Sequence, residues 1–406
     1  MAARKTRGNP FRIHGIVTGE SFADRVDELA RLERALTDAG SKLLMYGPRR
    51  MGKTSVLLRA VEEVNEDGGH ALFADLSTAS SAADMSNRIL AAAGTVLGRS
   101  FGNFISDLVQ RIRASVTLTA DPATGLVLPG LDLQARDWDA DRQRQTLGDV
   151  LDAIDEMAGR RGVVIGVALD EFQEITSFGG KKTEWHLRGV MQRHQHLAYV
   201  LSGSREHIIA RMTGSAGAFY KLVDKMPFGP IDADELAAWI DRRFRAGGLR
   251  ANDIGTAIVA NAGPRTRDIM QLARVCYDRA GGGSAVSPKD VLPALREIAA
   301  EEHDLHHTIW RALTPLQQNV LRAVAAADAG LTSRRVLQQF ALGSSGAAVN
   351  AAASLLEDGL LTRTDAYTGA RVDTAVGYAF DSPFFDAWVR ANTLSDLGAG
   401  AWGRNG

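Results

Sequence analysis

The chain has 406 residues, of which 45% are hydrophobic and 23% charged, and its 47 basic and 48 acidic side chains leave a net charge of −1. This composition is typical of a globular protein and excludes disordered and fibrous classes. A single cysteine, Cys276, excludes an internal disulfide, and the near-neutral charge removes the simplest argument for a nucleic-acid partner.

The sequence shows no targeting or membrane segment. No apolar stretch follows the basic residues near the N-terminus. The longest strongly apolar run, Gly162–Leu169, is far shorter than the ~20 residues that cross a bilayer. We therefore expect a cytoplasmic protein with no membrane partner.

The first half of the chain alternates helical and strand patterns. A helix is predicted over Asp24–Leu36, followed by a short apolar strand that ends at Gly47-Pro48. The next helix has a predicted buried side of Val56, Leu57, Ala60, Val61 and Val64. A second strand over His70–Ser77 completes a βαβ unit, which implies an α/β fold with a parallel sheet.

An insertion and two buried strands follow. Residues 114–135 alternate apolar and polar side chains around a turn at Asp121–Gly125, a pattern that predicts a hairpin inserted into the α/β core. Beyond a helix at about 140–158, the run that ends at Leu169 and the stretch Leu197–Ser204 predict strands buried on both faces.

The remainder of the chain changes character. We expect an ATPase-type core over 1–229, a helical lid over 230–300 with a glycine-rich linker near 281–284, and a further domain over 301–392 before a tail at 393–406. Three short helices and two strands in that further domain predict a winged helix-turn-helix.

The segment between the first strand and its helix matches G-x-x-x-x-G-K-[ST], the pattern of a phosphate-binding loop. It comprises Gly47, Pro48, Arg49, Arg50, Met51, Gly52, Lys53, Thr54 and Ser55. The glycines let backbone N–H groups face phosphate oxygens, and the following helix adds its positive end. In this role Lys53 would reach the β- and γ-phosphates of ATP, and the hydroxyl of Thr54 would coordinate Mg²⁺.

Two carboxylates follow the buried strand. Asp170 and Glu171 are expected at its carboxyl end, where ligands bind in parallel α/β sheets. Asp170 would hold Mg²⁺ directly or through water, and Glu171 would polarise the attacking water as general base.

Two further groups of residues are candidate sensors of the γ-phosphate. At the tip of the next strand Ser204 is the first candidate, with Ser202 and Arg205 as others, and a simple turn is the alternative. Arg265 and Arg267, at the start of a lid helix, could reach the phosphates, and a solvated helix end is the alternative.

These motifs together resemble the archaeal-type ATPase family, which is similar to STAND signalling NTPases and to AAA+ origin-recognition initiators. The resemblance rests on Asn9–Phe11, F-x-x-R-x-x-E-L at Phe22–Leu29, the phosphate-binding loop, the Asp-Glu pair, Ser-Gly-Ser at 202–204 and Tyr378–Arg390. It implies an ATPase core, a lid containing Gly263-Pro264 and a C-terminal winged helix, with ATP and Mg²⁺ as ligands. It also implies that Phe22 and Arg25 lie near adenine.

The sequence departs from the STAND pattern because 406 residues leave no room for a long repeat array. Arg205 is similar to the strand-tip arginine of STAND proteins, whereas archaeal-type members often lack it. The subclass therefore stays open.

The charge of the winged-helix segment bears on its partner. From Trp310 to Arg390 seven arginines balance seven acidic residues, and the third helix, within Ser344–Leu361, has no basic residue. Recognition helices of DNA-binding proteins carry the base-reading side chains, so a protein-interaction role is favoured over DNA binding. DNA binding stays an alternative because Arg334, Arg335, Arg363 and Arg371 could form a small basic patch.

The sequence thus predicts a Mg²⁺-dependent switch that binds and hydrolyses ATP, releases ADP, and works with a protein partner or a second copy of itself. Two alternatives remain: an ATP-gated DNA-binding regulator similar to replication initiators, and a nucleotide-bound scaffold that does not hydrolyse ATP.

Overall fold

The computed structural model describes residues 8–11, 25–97, 117–120, 127–130, 138–281, 283, 285–327, 329–363 and 377–394. The chain divides into two compact units. One is Arg25–Gly229, and the other joins Met1–Asp24 to Pro230–Gly406. Among the described residues, no helix combines the length and the apolar character needed to span a membrane.

The first unit is built on a sheet of five parallel strands. The strands of this sheet are β1 (Lys42–Tyr46), β2 (Ala71–Asp75), β5 (Ile165–Asp170), β6 (Leu197–Gly203) and β7 (Asp224–Pro227). A separate pair is formed by β3 (Thr117–Ala120) and β4 (Val127–Gly130). The order in the sheet is β2-β5-β6-β1-β7, and every neighbouring pair is parallel. The predicted α/β fold with a parallel sheet is confirmed.

Helices surround this sheet. They are α1 (Val26–Thr37), α2 (Lys53–Glu66), α3 (Ala82–Leu97), α4 (Ala140–Arg161), α5 (Gly180–Arg193) and α6 (Glu206–Thr213), with a 3₁₀ turn at Phe172–Thr176. All five side chains predicted for the inner side of α2 are buried. The central strands β5 and β6 are buried along their whole length, as continuous apolar runs predict.

The region predicted as an inserted hairpin contains β3 and β4, which pair antiparallel from Thr117 opposite Gly130 to Ala120 opposite Val127. The predicted turn at Asp121–Gly125 lies outside the described residues.

The second unit is mainly helical. Its elements are α7 (Ala233–Ala246), β8 (Arg250–Ala251), α8 (Ile254–Ala262), α9 (Thr266–Arg279), β9 (Ala285–Val286), α10 (Val291–Glu301), α11 (His303–Ala312), α12 (Pro315–Ala326), α13 (Arg334–Gln339), α14 (Ser345–Glu357), β10 (Leu361–Arg363), β11 (Tyr378–Phe380) and α15 (Pro383–Thr393). A single hydrophobic core runs through it from Leu236 to Leu394. Phe11, which precedes the first unit in the chain, also packs in this core, with its ring 4.7 Å from that of Phe244.

An ion pair also joins the predicted lid to the C-terminal segment, since the guanidinium of Arg265 pairs with Asp381. Within the C-terminal segment, Nε1 of Trp388 donates to Nδ1 of His303 at 3.0 Å. Because the lid and the C-terminal segment share a core and this ion pair, they form one body.

The C-terminal segment has the element order expected of a winged helix: three helices, α12 to α14, and then the antiparallel pair β10–β11. Residues 364–376, which include Arg371 of the predicted patch, lie outside the described residues. The winged helix therefore stays a prediction.

A buried polar network lies at the amino end of β6, opposite the edge where the phosphate-binding loop begins. Nδ1 of His194 is 2.7 Å from the hydroxyl of Tyr199, and Nε2 is 2.8 Å from Asp152. A carboxylate can only accept, so Nε2 carries the proton and Nδ1 accepts from Tyr199. Burial lowers the pKa of His194, which Asp152 partly opposes.

The lowered pKa of His194 predicts a pH-dependent stability. Below about pH 6.5, the ordinary histidine value, the unfolded chain takes up a proton that the buried ring resists, so the free energy of unfolding falls. Urea unfolding of His194→Gln between pH 7.5 and 5 should show a shallower fall than the wild type. An unchanged slope would show that this ring does not contribute.

Candidate functional site

The carboxyl ends of β1, β5 and β6 meet at one edge of the sheet. Their register places Tyr46 beside Gly203, and Leu169 beside Leu201. The predicted phosphate-binding loop, the Asp170-Glu171 pair and Ser204 each continue from one of these strand ends, so the parallel topology brings the three motifs together.

The loop after β1 needs glycine at two positions. A Cβ on Gly47 would lie 2.1 Å from the carbonyl oxygen of Phe228, so only a glycine allows this approach of β1 to the chain that follows β7. Gly52 has a φ of +95° and precedes the first residue of α2. This left-handed conformation is readily adopted by glycine alone, and it turns the loop into the helix.

Lys53 is buried at the start of α2, with its ammonium inside the loop. Its Nζ donates to the carbonyl oxygens of Gly47 at 2.8 Å and Pro48 at 2.5 Å. The positive charge is therefore held in the concave side of the loop, next to the positive end of α2.

Arg25 supports the loop from the other side. Its guanidinium donates to the carbonyl oxygens of Gly229 at 2.8 Å and Met51 at 3.4 Å, and lies over the ring of Phe228, 4.1 Å from the centroid. Burial lowers the pKa of Arg25, while the neighbouring Glu28 opposes this. The arginine thus ties the loop to the chain after β7 through three contacts.

The oxygen ligands expected of a Mg²⁺ site lie side by side. Oγ1 of Thr54 donates to Oδ2 of Asp170 at 2.6 Å, and the N–H of Glu171 donates to Oδ1 at 3.0 Å. Burial raises the pKa of Asp170, and these hydrogen bonds act against the shift. The Ser202 hydroxyl, also buried, lies close enough to favour the charged carboxylate but has no hydrogen-bond partner in the described part of the chain.

This pair of ligands fits Mg²⁺ rather than a protein-only metal cage. The described residues contain no group of three or more His, Cys, Asp or Glu arranged to hold a metal ion. Mg²⁺ commonly binds one or two protein oxygens and completes its shell with water and substrate phosphates. A hydroxyl and a carboxylate beside a phosphate-binding loop match that chemistry.

Glu171 is held by two donors. Its backbone is left-handed, with a φ of +51°. Oε2 accepts from Oγ of Ser204 at 2.7 Å and from the side-chain amide of Gln173. The side-chain carbonyl oxygen of Gln173, Oε1, in turn accepts from the backbone N–H of Ser204 at 3.2 Å. No described residue donates to Oε1, so that oxygen can accept from water.

Gln173 is the residue that sequence reasoning missed. It is completely buried and links the turn after β5 to the tip of β6. The only signal was a polar residue two positions after Glu171, within a short segment whose 3₁₀ geometry no periodicity reveals. Ser204, the first sensor candidate, does reach this network.

The remaining candidates have other neighbours. Nε of Arg49 donates to Oγ of Ser204 at 3.4 Å, and Arg205 pairs with Glu174 at 3.2 Å. Arg50 is exposed, with a φ of +66°, whereas Met51 is buried and Ser55 half-buried.

Arg265 and Arg267 belong to the second unit. Arg265 pairs with Asp381, and Arg267 is exposed at the start of α9. Their approach to the phosphates stays a prediction.

The sequence matches a known protein family over the part of the chain that contains this edge of the sheet. Residues 22–227, about half of the chain, match the family described as an ATPase domain predominantly from Archaea. Among curated proteins, none is significantly similar in sequence.

Solved structures share the fold. The Walker-type ATPase PABY2304 of Pyrococcus abyssi superposes with a TM-score of 0.60 at 17% identity, over 94% of this chain and 99% of that one. The ORC2 protein of Aeropyrum pernix, solved as ADPNP-ADP complexes, gives a TM-score of 0.54 at 14% identity, over 91% and 94% of the two chains. At these identities the likeness is one of fold.

The buried carboxylate of Asp170 predicts a conflict between stability and metal binding. Asp170→Asn removes a charge that burial disfavours but keeps an oxygen for Thr54. The variant should therefore have a higher Tm than the wild type without nucleotide, and Mg²⁺ should add less to its Tm in the presence of ATP. Asp38→Asn, an exposed residue at the end of α1, is the control. A lower Tm for Asp170→Asn without nucleotide would contradict this.

Gln173 should act by positioning Glu171. Gln173→Leu removes the amide that donates to Glu171, and a hydrogen bond to a charged group contributes about 1.5–3 kcal/mol. If Glu171 acts as a base, kcat for ATP hydrolysis should fall roughly 10- to 100-fold with little change in KM. Gln145→Leu on the exposed side of α4 is the control. A normal kcat in a folded Gln173→Leu protein would show that Gln173 does not position Glu171 for hydrolysis.

Proposed function

Since the chain belongs to the family of ATPase domains found predominantly in Archaea, we propose that it binds and hydrolyses ATP in a Mg²⁺-dependent reaction at the edge formed by β1, β5 and β6. The observation that carries the proposal is the division of contacts at the end of β5. Asp170 contacts Thr54 of the loop, while Glu171 contacts Ser204 of the next strand. This division supports a metal-binding role for Asp170 and a water-activating role for Glu171.

The loop is the phosphate-binding part of this proposal. Lys53 holds its charge among loop carbonyls, and the turn at Gly52 directs the start of α2 into the loop. An anionic phosphate chain would gain hydrogen bonds from backbone N–H groups and from this ammonium. Arg49, at the mouth of the loop, adds a second positive charge near Ser204.

Thr54 and Asp170 are the proposed Mg²⁺ ligands, directly or through water. When bound there, the ion would neutralise phosphate charge and polarise the terminal phosphoryl group. Asp170 would then be balanced by a cation, which removes the burial penalty on its charge.

Glu171 is the proposed general base. Two donors on Oε2 fix the plane of the carboxylate, and Oε1 is left to accept a proton from a water molecule. Ser204 and Gln173 are positioning residues in this account. Arg205 would have to leave Glu174 before it could stabilise charge on the phosphates.

We also propose that nucleotide state acts as a switch on the second unit. The predicted lid and the C-terminal segment share one core and the Arg265–Asp381 pair, so they should move together. ATP and ADP would thus be distinguished by the placement of a single body.

The partner of the proposed winged helix is expected to be a protein or a second copy of the chain. The exposed side of α14 consists of Ser345, Gly346, Val349, Asn350, Ala353 and Glu357. It carries no positive charge for phosphate contacts, which supply much of DNA affinity. For the alternative of a DNA-binding regulator, this neutral surface argues against α14 as the reading helix.

Two substitutions separate binding from hydrolysis. Lys53→Ala should abolish ATP binding, because the loop loses its ammonium. Glu171→Gln should bind ATP with near wild-type affinity and hydrolyse it roughly 10²- to 10⁴-fold more slowly, the range expected for loss of a general base. Binding can be measured with a fluorescent ATP analogue and hydrolysis by phosphate release.

Matched controls are Lys289→Ala and Glu66→Gln, which change exposed residues of the same types away from the site. Wild-type hydrolysis by Glu171→Gln would refute the general-base role. Tight ATP binding by Lys53→Ala would refute the loop as the phosphate site.

A further inference from the structure

An exposed surface of the first unit combines aromatic rings with positive charges. It is formed by one side of α5 and by the loop between α6 and β7. We call it the aromatic–basic patch, and it consists of Lys181, Lys182, Trp185, Arg188, Tyr220 and Lys221. None of these residues belongs to the site at the carboxyl ends of the strands.

The α5 part of the patch follows helical spacing. Lys181, Trp185 and Arg188 lie at i, i+4 and i+7, so they share one side of the helix. The indole of Trp185 is 50% exposed, an unusual exposure for so large an apolar ring. The structure therefore leaves a flat aromatic face in solvent beside three cations.

An arginine connects Trp185 to the loop that carries Tyr220. Nη1 of Arg188 donates to the carbonyl oxygens of Ala218 and of Tyr220, the latter at 3.0 Å, and its guanidinium lies 5.6 Å from the centroid of Trp185. Tyr220 is itself 40% exposed, with Nζ of Lys221 5.4 Å from its ring. Arg188 thus links the exposed ring of Trp185 to the backbone of the residue that carries the second exposed ring.

The loop beneath Tyr220 is anchored in the core. Phe219 is buried edge-to-face against Phe172, with the centroids 5.2 Å apart, and its N–H donates to the carbonyl of Met212 at 2.9 Å. An anchored loop keeps Tyr220 in place, so the protein would lose little conformational freedom when a ligand binds.

Few acidic residues lie near the patch in the sequence. The acidic residue of α5, Glu184, is buried and paired with Arg211, and the loop from Gly214 to Val223 contains no acid before Asp224 at the start of β7. Within the described residues neither Lys181 nor Lys182 forms an ion pair. Of the eight lysines in this arginine-rich chain, four fall between positions 181 and 225. A nearly neutral chain therefore carries a strongly basic local surface.

We propose that the aromatic–basic patch binds single-stranded nucleic acid, with bases stacked on Trp185 and Tyr220 and phosphates near the lysines. Base stacking on exposed aromatic rings beside a cationic surface is the common mode of single-strand binding. Duplex bases are stacked on one another and cannot offer their faces. Lysine is depleted in protein–protein interfaces, so the lysines favour a phosphate-bearing partner over a protein. This goes beyond the proposed ATPase and does not depend on hydrolysis.

The test is fluorescence anisotropy of the full chain with a labelled oligothymidylate of about 20 nucleotides, longer than the roughly 4–16 nucleotides that one OB-fold covers. Trp185→Ala and Tyr220→Ala should each weaken binding about tenfold, within the range measured for loss of one stacking ring. Trp185→Phe, which keeps an aromatic face, should retain most of the affinity. A duplex of the same length should bind more weakly and be insensitive to Trp185→Ala.

The charges have their own signature. The double variant Lys181→Ala, Lys182→Ala should lower the slope of log affinity against log salt by about 1.4, since each single-strand phosphate contact contributes about 0.7. Lys289→Ala, an exposed lysine in the other unit, should leave the slope unchanged. Because the patch is exposed, Tm and basal ATP hydrolysis should match the wild type in every variant.

Three results would overturn the proposal. One is the absence of oligothymidylate binding at low salt, and another is equal affinity of the wild type and Trp185→Ala. The third is a change confined to self-association, seen by sedimentation, with oligothymidylate affinity unaltered, which would make the patch an interface between copies.

Discussion

The hydrogen bond from Thr54 to Asp170 joins the two halves of the candidate site, since one residue lies in the first turn of α2 and the other ends β5. It exists because β1 and β5 both flank β6 in a parallel sheet, with their carboxyl ends at the same edge. It also concentrates the electrostatic cost of the site, because burial raises the pKa of Asp170. A cation between the hydroxyl and the carboxylate would relieve this cost, which couples metal binding to the stability of the edge.

Around this contact, neighbouring residues hold the loop and the Glu171 carboxylate in place. Arg25 ties the loop to the chain after β7, and Gly47 allows the close approach that makes this possible. Ser204 and Gln173 fix the carboxylate of Glu171 through one of its oxygens. These contacts hold the charged groups in place, a condition under which such groups act without reorganisation during a reaction.

Much of the first unit could be predicted from sequence because its signals are local. Continuous apolar runs marked β5 and β6, the glycine spacing marked the loop, and the helical period marked the buried side of α2. Contacts between distant segments left no such signal. Gln173 meets Ser204 only through a 3₁₀ turn, and Arg265 meets Asp381 116 positions away. Whole-chain charge likewise concealed the aromatic–basic patch, since acidic residues elsewhere in the chain balance its lysines.

The central claim is that Glu171 activates water, so that the protein hydrolyses ATP and does not only bind it. The direct measurement is the number of phosphates released per chain by the purified wild-type protein at saturating ATP and Mg²⁺. We predict a count that rises steadily past one phosphate per chain and ceases to rise when Mg²⁺ is chelated. A count that stops at or below one per chain would contradict the account and identify a nucleotide-bound scaffold.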